Sequence, residues 1–122
     1  MGQAPKPAVL EATPETFDAA LQAPEETLVV VYFWGPECPN CEVFARDWPS
    51  LLEELPADRV RVVKVNAYEH TELARRFALA GIPGFVLFRA GKKLGMMRQY
   101  YGREYWKRVI TELAEGRPPS FR

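Results

Sequence analysis

The stretch Thr27-Leu28-Val29-Val30-Val31-Tyr32-Phe33-Trp34, followed by Cys38-Pro39-Asn40-Cys41, decides the fold of this chain. The first eight residues are continuously apolar and rich in β-branched side chains, the pattern of a central strand covered on both faces. From Glu42 onward apolar residues recur at helical spacing: Val43, Phe44, Trp48, Leu51, Leu52 and Leu55. The two cysteines therefore sit where a buried strand hands over to a helix. They are the only cysteines among the 122 residues. A bridge enclosing two residues removes little loop entropy from the unfolded chain, so the pair reads as reversible redox chemistry rather than as a staple. Two buried reduced thiols are the bland alternative. A metal or iron–sulfur cluster shared between two copies is another, since His70 is the one histidine and tetrahedral zinc needs four ligands.

Outward from this stretch, strands and helices alternate. Residues 1–7 form a proline-containing lead-in, and Ala8 to Ala12 reads as a short edge strand. Thr13 and Pro14 suit the N-cap and first position of a helix with Phe17, Ala20 and Leu21 inward and Pro24 at its close. Pro49 falls inside the second helical pattern and should kink or divide it. Val60 to Asn66 is a second buried strand. Thr71 suits the cap of a short helix through Phe77 with Leu73 and Ala74 inward, and His70 reads as a loop or helix-cap residue. After the Gly81–Gly84 turn come a strand over 85–89, a hairpin turn over 90–93 and a return strand over 94–101. A last helix spans about 103–114 with Tyr105, Trp106, Val109, Ile110 and Leu113 inward and a solvated charged face. Gly116 ends it, and residues 117–122 form a tail. The order β-α-β-α-β-α-β-β-α predicts one α/β domain over 8–116, a mixed sheet flanked by helices.

Composition narrows the function. Lys plus Arg and Asp plus Glu number 16 each, which argues against a broad nucleic-acid or anionic-membrane surface. No apolar run is long enough to span a membrane, and the N-terminus carries no hydrophobic signal core, so a cytoplasmic protein is expected. Two cysteines in a reducing compartment point to catalysis or metal binding rather than structure.

With these features in place the chain resembles the thioredoxin family. The matching residues are Phe33-Trp34 at the strand end, Cys38 and Cys41 at the next helix, Lys64-Val65-Asn66, Gly81-Ile82-Pro83 before the hairpin, and Tyr101-Gly102 before the last helix. The resemblance spans roughly 8–116 and implies a thioredoxin-like fold. It implies that Cys38 is the exposed nucleophile, that Cys41 is the more buried resolving thiol, and that Pro83 is cis beside them. Substrate would lie along Trp34, Glu37, Ile82, Pro83 and Gly84, with Tyr32, Pro39, Asn40 and Lys64 in support. Tyr101 is expected at the groove border, and Met96-Met97 and Tyr100 in strand packing. It further implies disulfide-bearing client proteins, a flavin-dependent thioredoxin reductase or a thiol pool as electron donor, and a monomer. No sequence feature marks a bound cofactor or a metal site of the chain's own.

The chain departs from the family at four places. Pro39-Asn40 stands where Gly-Pro is usual, Tyr32 where a buried acid is frequent, and Glu37 where a tryptophan is common. Pro49 lies about one turn beyond the usual kink. At the helix start, free N–H groups and the macrodipole should lower the pKa of Cys38 below about 8.5. The expected chemistry is thiol–disulfide exchange, leaning to reduction of protein disulfides. Oxidase or isomerase chemistry, and a non-catalytic binding module of the same fold, are the alternatives.

Overall fold

The computed structural model describes residues 6–118. The lead-in expected over 1–7 and the tail over 117–122 therefore lie largely outside the described residues. Within them, Pro7 is buried and Lys6 approaches Glu53 at 3.8 Å.

Five strands, β1 (Ala8–Glu11), β2 (Leu28–Trp34), β3 (Val60–Asn66), β4 (Gly84–Arg89) and β5 (Lys92–Met97), form one sheet in the order β1-β3-β2-β4-β5. The β1/β3 and β2/β3 pairs are parallel, whereas β2/β4 and β4/β5 are antiparallel. Four helices flank it: α1 (Phe17–Ala20), α2 (Pro39–Glu54), α3 (Thr71–Arg76) and α4 (Arg103–Ala114).

The apolar run of β2 has the physical reason the sequence suggests. Leu28, Val30 and Tyr32 face a core with Phe44, Leu51, Trp106 and Ile110 of α2 and α4. Val29, Val31 and Phe33 face the opposite core with Phe17, Leu21 and Leu73. Each fully buried aliphatic or aromatic side chain contributes about 1.5–3 kcal/mol relative to exposure, so both faces of the strand must be covered. Phe44 is the hub of the first core, its ring lying 4.9–5.5 Å from those of Tyr32, Trp48, Phe85, Tyr100 and Trp106.

Several boundaries differ from expectation. Thr13 does not cap α1. Its N–H donates to Thr16 Oγ1 at 2.9 Å inside a turn, and the helix begins at Phe17. Thr71 is the first residue of α3 rather than its cap, a place taken by His70. Pro49 does not divide α2, which runs unbroken through it. Ala45, whose carbonyl loses its donor to Pro49, and Pro49 itself are both exposed residues.

The hairpin turn is two residues long, Ala90 and Gly91, both with positive φ (53° and 77°), and Lys92 and Lys93 already belong to β5. Positive φ at both central residues gives a turn whose twist matches that of the flanking strands. Strand β5 stops at Met97 instead of reaching Tyr101. Its partner β4 begins at Gly84, and Pro83 before it has no N–H to extend the ladder. The charged face of α4 is not wholly solvated either, because Arg103 and Lys107 both pair with Glu54 of α2.

Removing the Phe44 ring should leave a cavity between sheet and helices. Phe44→Ala is expected to cost about 3–5 kcal/mol in urea denaturation. Val43→Ala next to it, at a side chain facing solvent, should change stability by no more than about 0.5 kcal/mol.

Candidate active site

Parallel strands β2 and β3 end at the same edge of the sheet, with Trp34 opposite Asn66. Whatever follows each strand is thereby brought together. Ala67 N–H donates to the Trp34 carbonyl at 2.8 Å. The Asn66 side-chain oxygen accepts from Tyr68 N–H (3.0 Å) and Glu69 N–H (3.1 Å), which fixes the turn after β3. After β2 the chain passes Gly35 and Pro36 to Glu37, whose φ of 53° lies in the left-handed region. Cys38 is then the N-cap of α2, with Pro39 at the first helical position, where its missing donor costs nothing.

Cys38 and Cys41 form a disulfide with Cα atoms 5.2 Å apart. Cys41 N–H donates to Cys38 Sγ at 3.1 Å, so once the bridge is reduced a backbone donor and the helix N-terminus both favour negative charge on that sulfur. The Ile82 carbonyl oxygen lies 3.7 Å from the same sulfur, and the Ile82–Pro83 peptide bond is cis. Exposure does not separate the two cysteines, at 6% for Cys38 and 5% for Cys41. Geometry does. Cys38 lines hollows on both sides of the disulfide, whereas Cys41 lines the one on the sheet side.

That sheet-side cleft, about 560 Å³, runs between Tyr32, Trp34, Trp48 and Lys64, with Glu37 and Glu42 at its margin. Lys64 Nζ stands 5.0 Å from the centre of the Trp34 ring and 5.9 Å from that of Tyr32. Trp34 is half-buried and serves both core and cleft. Burial pushes the Tyr32 phenol from 10.0 up to about 12. A groove of about 400 Å³ opens on the other side of Cys38, along Glu37, Asn40, Tyr68 and Ile82. A third, smaller hollow joins Asn40 and Val43 to Pro83 and Tyr100.

The structure thus gathers Tyr32, Trp34, Glu37, Pro39, Asn40, Lys64, Ile82 and Pro83 around the disulfide. Gly84 is the buried first residue of β4, and a Cβ there would meet Leu79 at 2.8 Å. Tyr100, rather than Tyr101, stands beside Pro83. Its hydroxyl donates to Asp47 at 2.6 Å, and burial, then this bond, push the phenol up. Tyr101 packs instead on Tyr105.

Sequence reasoning missed Gly35, Trp48 and Tyr68. Tyr68 was accessible in principle: two parallel strands adjacent in a sheet place the residues beyond their C-terminal ends side by side. Among the described residues no three His, Cys, Asp or Glu side chains converge as a metal site, and no helix is long and apolar enough to cross a membrane.

The thioredoxin family model matches residues 8–114. The chain belongs to the thioredoxin family. It is 29% identical over 110 residues to thioredoxin of Alicyclobacillus acidocaldarius, covering 88% of this chain and the whole of that one. It is 27% identical over 100 residues to human glutaredoxin-3, covering 82% of this chain but 29% of that protein, so the chain spans under a third of that relative's length. The crystal structure of Malassezia sympodialis thioredoxin superposes with a TM-score of 0.78 at 20% identity, over 93% of this chain and 97% of that one. That likeness establishes the thioredoxin fold expected from the sequence.

Because the folded state raises the Tyr32 pKa, its contribution to stability is intact below pH 10 and is lost as pH climbs towards 12. Urea denaturation over about pH 9 to 12 should therefore show wild type losing stability more steeply than Tyr32→Phe, which has no phenol to ionise. Parallel losses in the two proteins would count against this burial of the hydroxyl.

Proposed function

We propose that this protein is a thiol–disulfide oxidoreductase that reduces disulfides in client proteins. The observation that carries the reading is Cys38 at the N-cap of α2, its sulfur accepting the Cys41 N–H and facing the Ile82 carbonyl. In the reduced protein the Cys38 thiolate attacks one sulfur of the client disulfide. The client S–S bond breaks, a Cys38–client bond forms, and the other client sulfur leaves as a thiolate and takes a proton. Cys41 then gives up its proton and attacks Cys38 Sγ, releasing the second client thiolate and leaving the internal bridge. Two electrons pass from the cysteine pair to the client.

The proton of Cys41 has an unusual exit. A phenol near pKa 12 stays protonated at neutral pH, so Tyr32 cannot act as the acceptor. Solvent reaching the cleft that Cys41 and Lys64 both line is the acceptor in this reading. Asn40 is neutral and gives the Cys38 thiolate no cationic partner, which weakens the reduced form's advantage and favours donation of electrons. The Ile82–Pro83 edge, with Trp34 and Glu37 on the flanks, receives the extended client backbone. A monomer in the cytoplasm, re-reduced by a flavin-dependent thioredoxin reductase or a thiol pool, fits this direction.

Insulin reduction by dithiothreitol tests the reading. Wild type should accelerate it, and Cys38→Ser should fall to the uncatalysed rate. Cys41→Ser should stall as a mixed disulfide, visible as a client adduct by mass spectrometry. No acceleration by wild type would contradict the reading and leave only a binding role.

A further inference from the structure

The groove on the helix side of Cys38 has a floor and a charge that the exchange reaction itself does not require. Tyr68 is 57% exposed, yet it is held in place. Its N–H donates to the Asn66 side-chain oxygen, and its Cδ2–Cε2 edge packs over Gly35, where a Cβ would come within 2.8 Å of both atoms. The same position would bring a Cβ within 2.8 Å of Ile82 Cδ1, so Tyr68 and Ile82 meet over Gly35. The exposed aromatic ring thereby lines the groove that contains Cys38.

Glu37 is the one charged side chain among the described residues that line this groove. It is exposed, and no hydrogen bond or ion pair engages its carboxylate among those residues. Its left-handed backbone sets it immediately before the nucleophile. A ring face and a free carboxylate in one groove together match a single side-chain chemistry. A guanidinium can stack on the ring and pair with the carboxylate, and an acidic side chain would meet only repulsion.

We infer that this groove selects client segments with a basic residue, arginine foremost, beside the reacting cysteine, its cation stacking on Tyr68 and pairing with Glu37. The inference rests on the oxidoreductase reading and names the client class that reading leaves open. Tyr68 and Glu37 are specificity residues, and Gly35 and Asn66 position the ring.

Two disulfide-linked peptides, identical except for arginine or glutamate next to the cysteine, test it alongside a small neutral disulfide. Wild-type kcat/KM should favour the arginine peptide by about fivefold at low salt, the scale of an exposed ion pair together with a cation–π contact. Glu37→Gln should reduce that ratio, and Glu37→Lys should bring it to one or below. Tyr68→Ala should lower it, with Tyr68→Phe restoring it because the ring face remains. High salt should shrink it through screening. A wild type that turns over the small disulfide but treats the two peptides alike would overturn the inference alone. So would a ratio unmoved by Glu37→Lys. A wild type inactive on all three substrates would overturn the oxidoreductase reading as well.

Discussion

The burial of β2 on both faces is the constraint from which the rest of the molecule follows. Three of its side chains enter one core and three enter the other, so a shift of one residue against β3 or β4 would exchange the two sets. Such a shift would drive Tyr32 and Phe33 into cores shaped for each other's place. The register is therefore held by packing, and with it the height at which β2 ends. Trp34 stops level with Asn66, and Cys38 emerges four residues later at the edge of the sheet.

Everything at the site inherits that position. The turn after β3 closes on the β2 end through Ala67 N–H and the Trp34 carbonyl, and Asn66 fixes its course. Helix α2 is capped by Cys38, whose sulfur accepts the Cys41 N–H, while Phe44 and Leu51 further along anchor the helix on the sheet. Strand β4, antiparallel to β2, brings Ile82 and Pro83 to the same edge from the opposite direction. A cysteine at a helix N-cap, a carbonyl facing its sulfur and hollows on both sides are consequences of three strand ends meeting.

Much of this was legible in the residues. A continuous β-branched apolar run marked β2, four valines within seven residues marked β3, and the three- and four-residue spacing of Phe44, Trp48 and Leu51 marked α2. The boundaries of α4 and the element order were readable for the same reason, since periodicity over a dozen residues outweighs local ambiguity. What escaped was decided by tertiary context. Thr13 is a good capping residue, yet its backbone joins Thr16 in a turn because the packing of Phe17 starts the helix later. Strand β5 is shortened by the missing donor of Pro83 on its neighbour, which no property of residues 98–101 reveals. Pro49 is tolerated because it faces water.

The site divided in the same way. The cysteine pair carries chemistry in its own residue type and spacing, whereas Lys64 and Ile82-Pro83 were named through the resemblance to the thioredoxin family. Tyr68 and Gly35 matter only because two strands are parallel neighbours ending in step. Tyr32 was conspicuous against the family pattern, but its setting needed the structure: burial pushes its phenol up to about 12. The most direct measurement is the redox equilibrium of the Cys38–Cys41 pair in dithiothreitol buffers of graded ratio, with dithiol and disulfide forms counted by thiol alkylation. The expected result is one reversible two-electron transition near the thioredoxin end of the family's range, about −270 mV. A pair that stays wholly oxidised or wholly reduced across all ratios would contradict reversible exchange at this site.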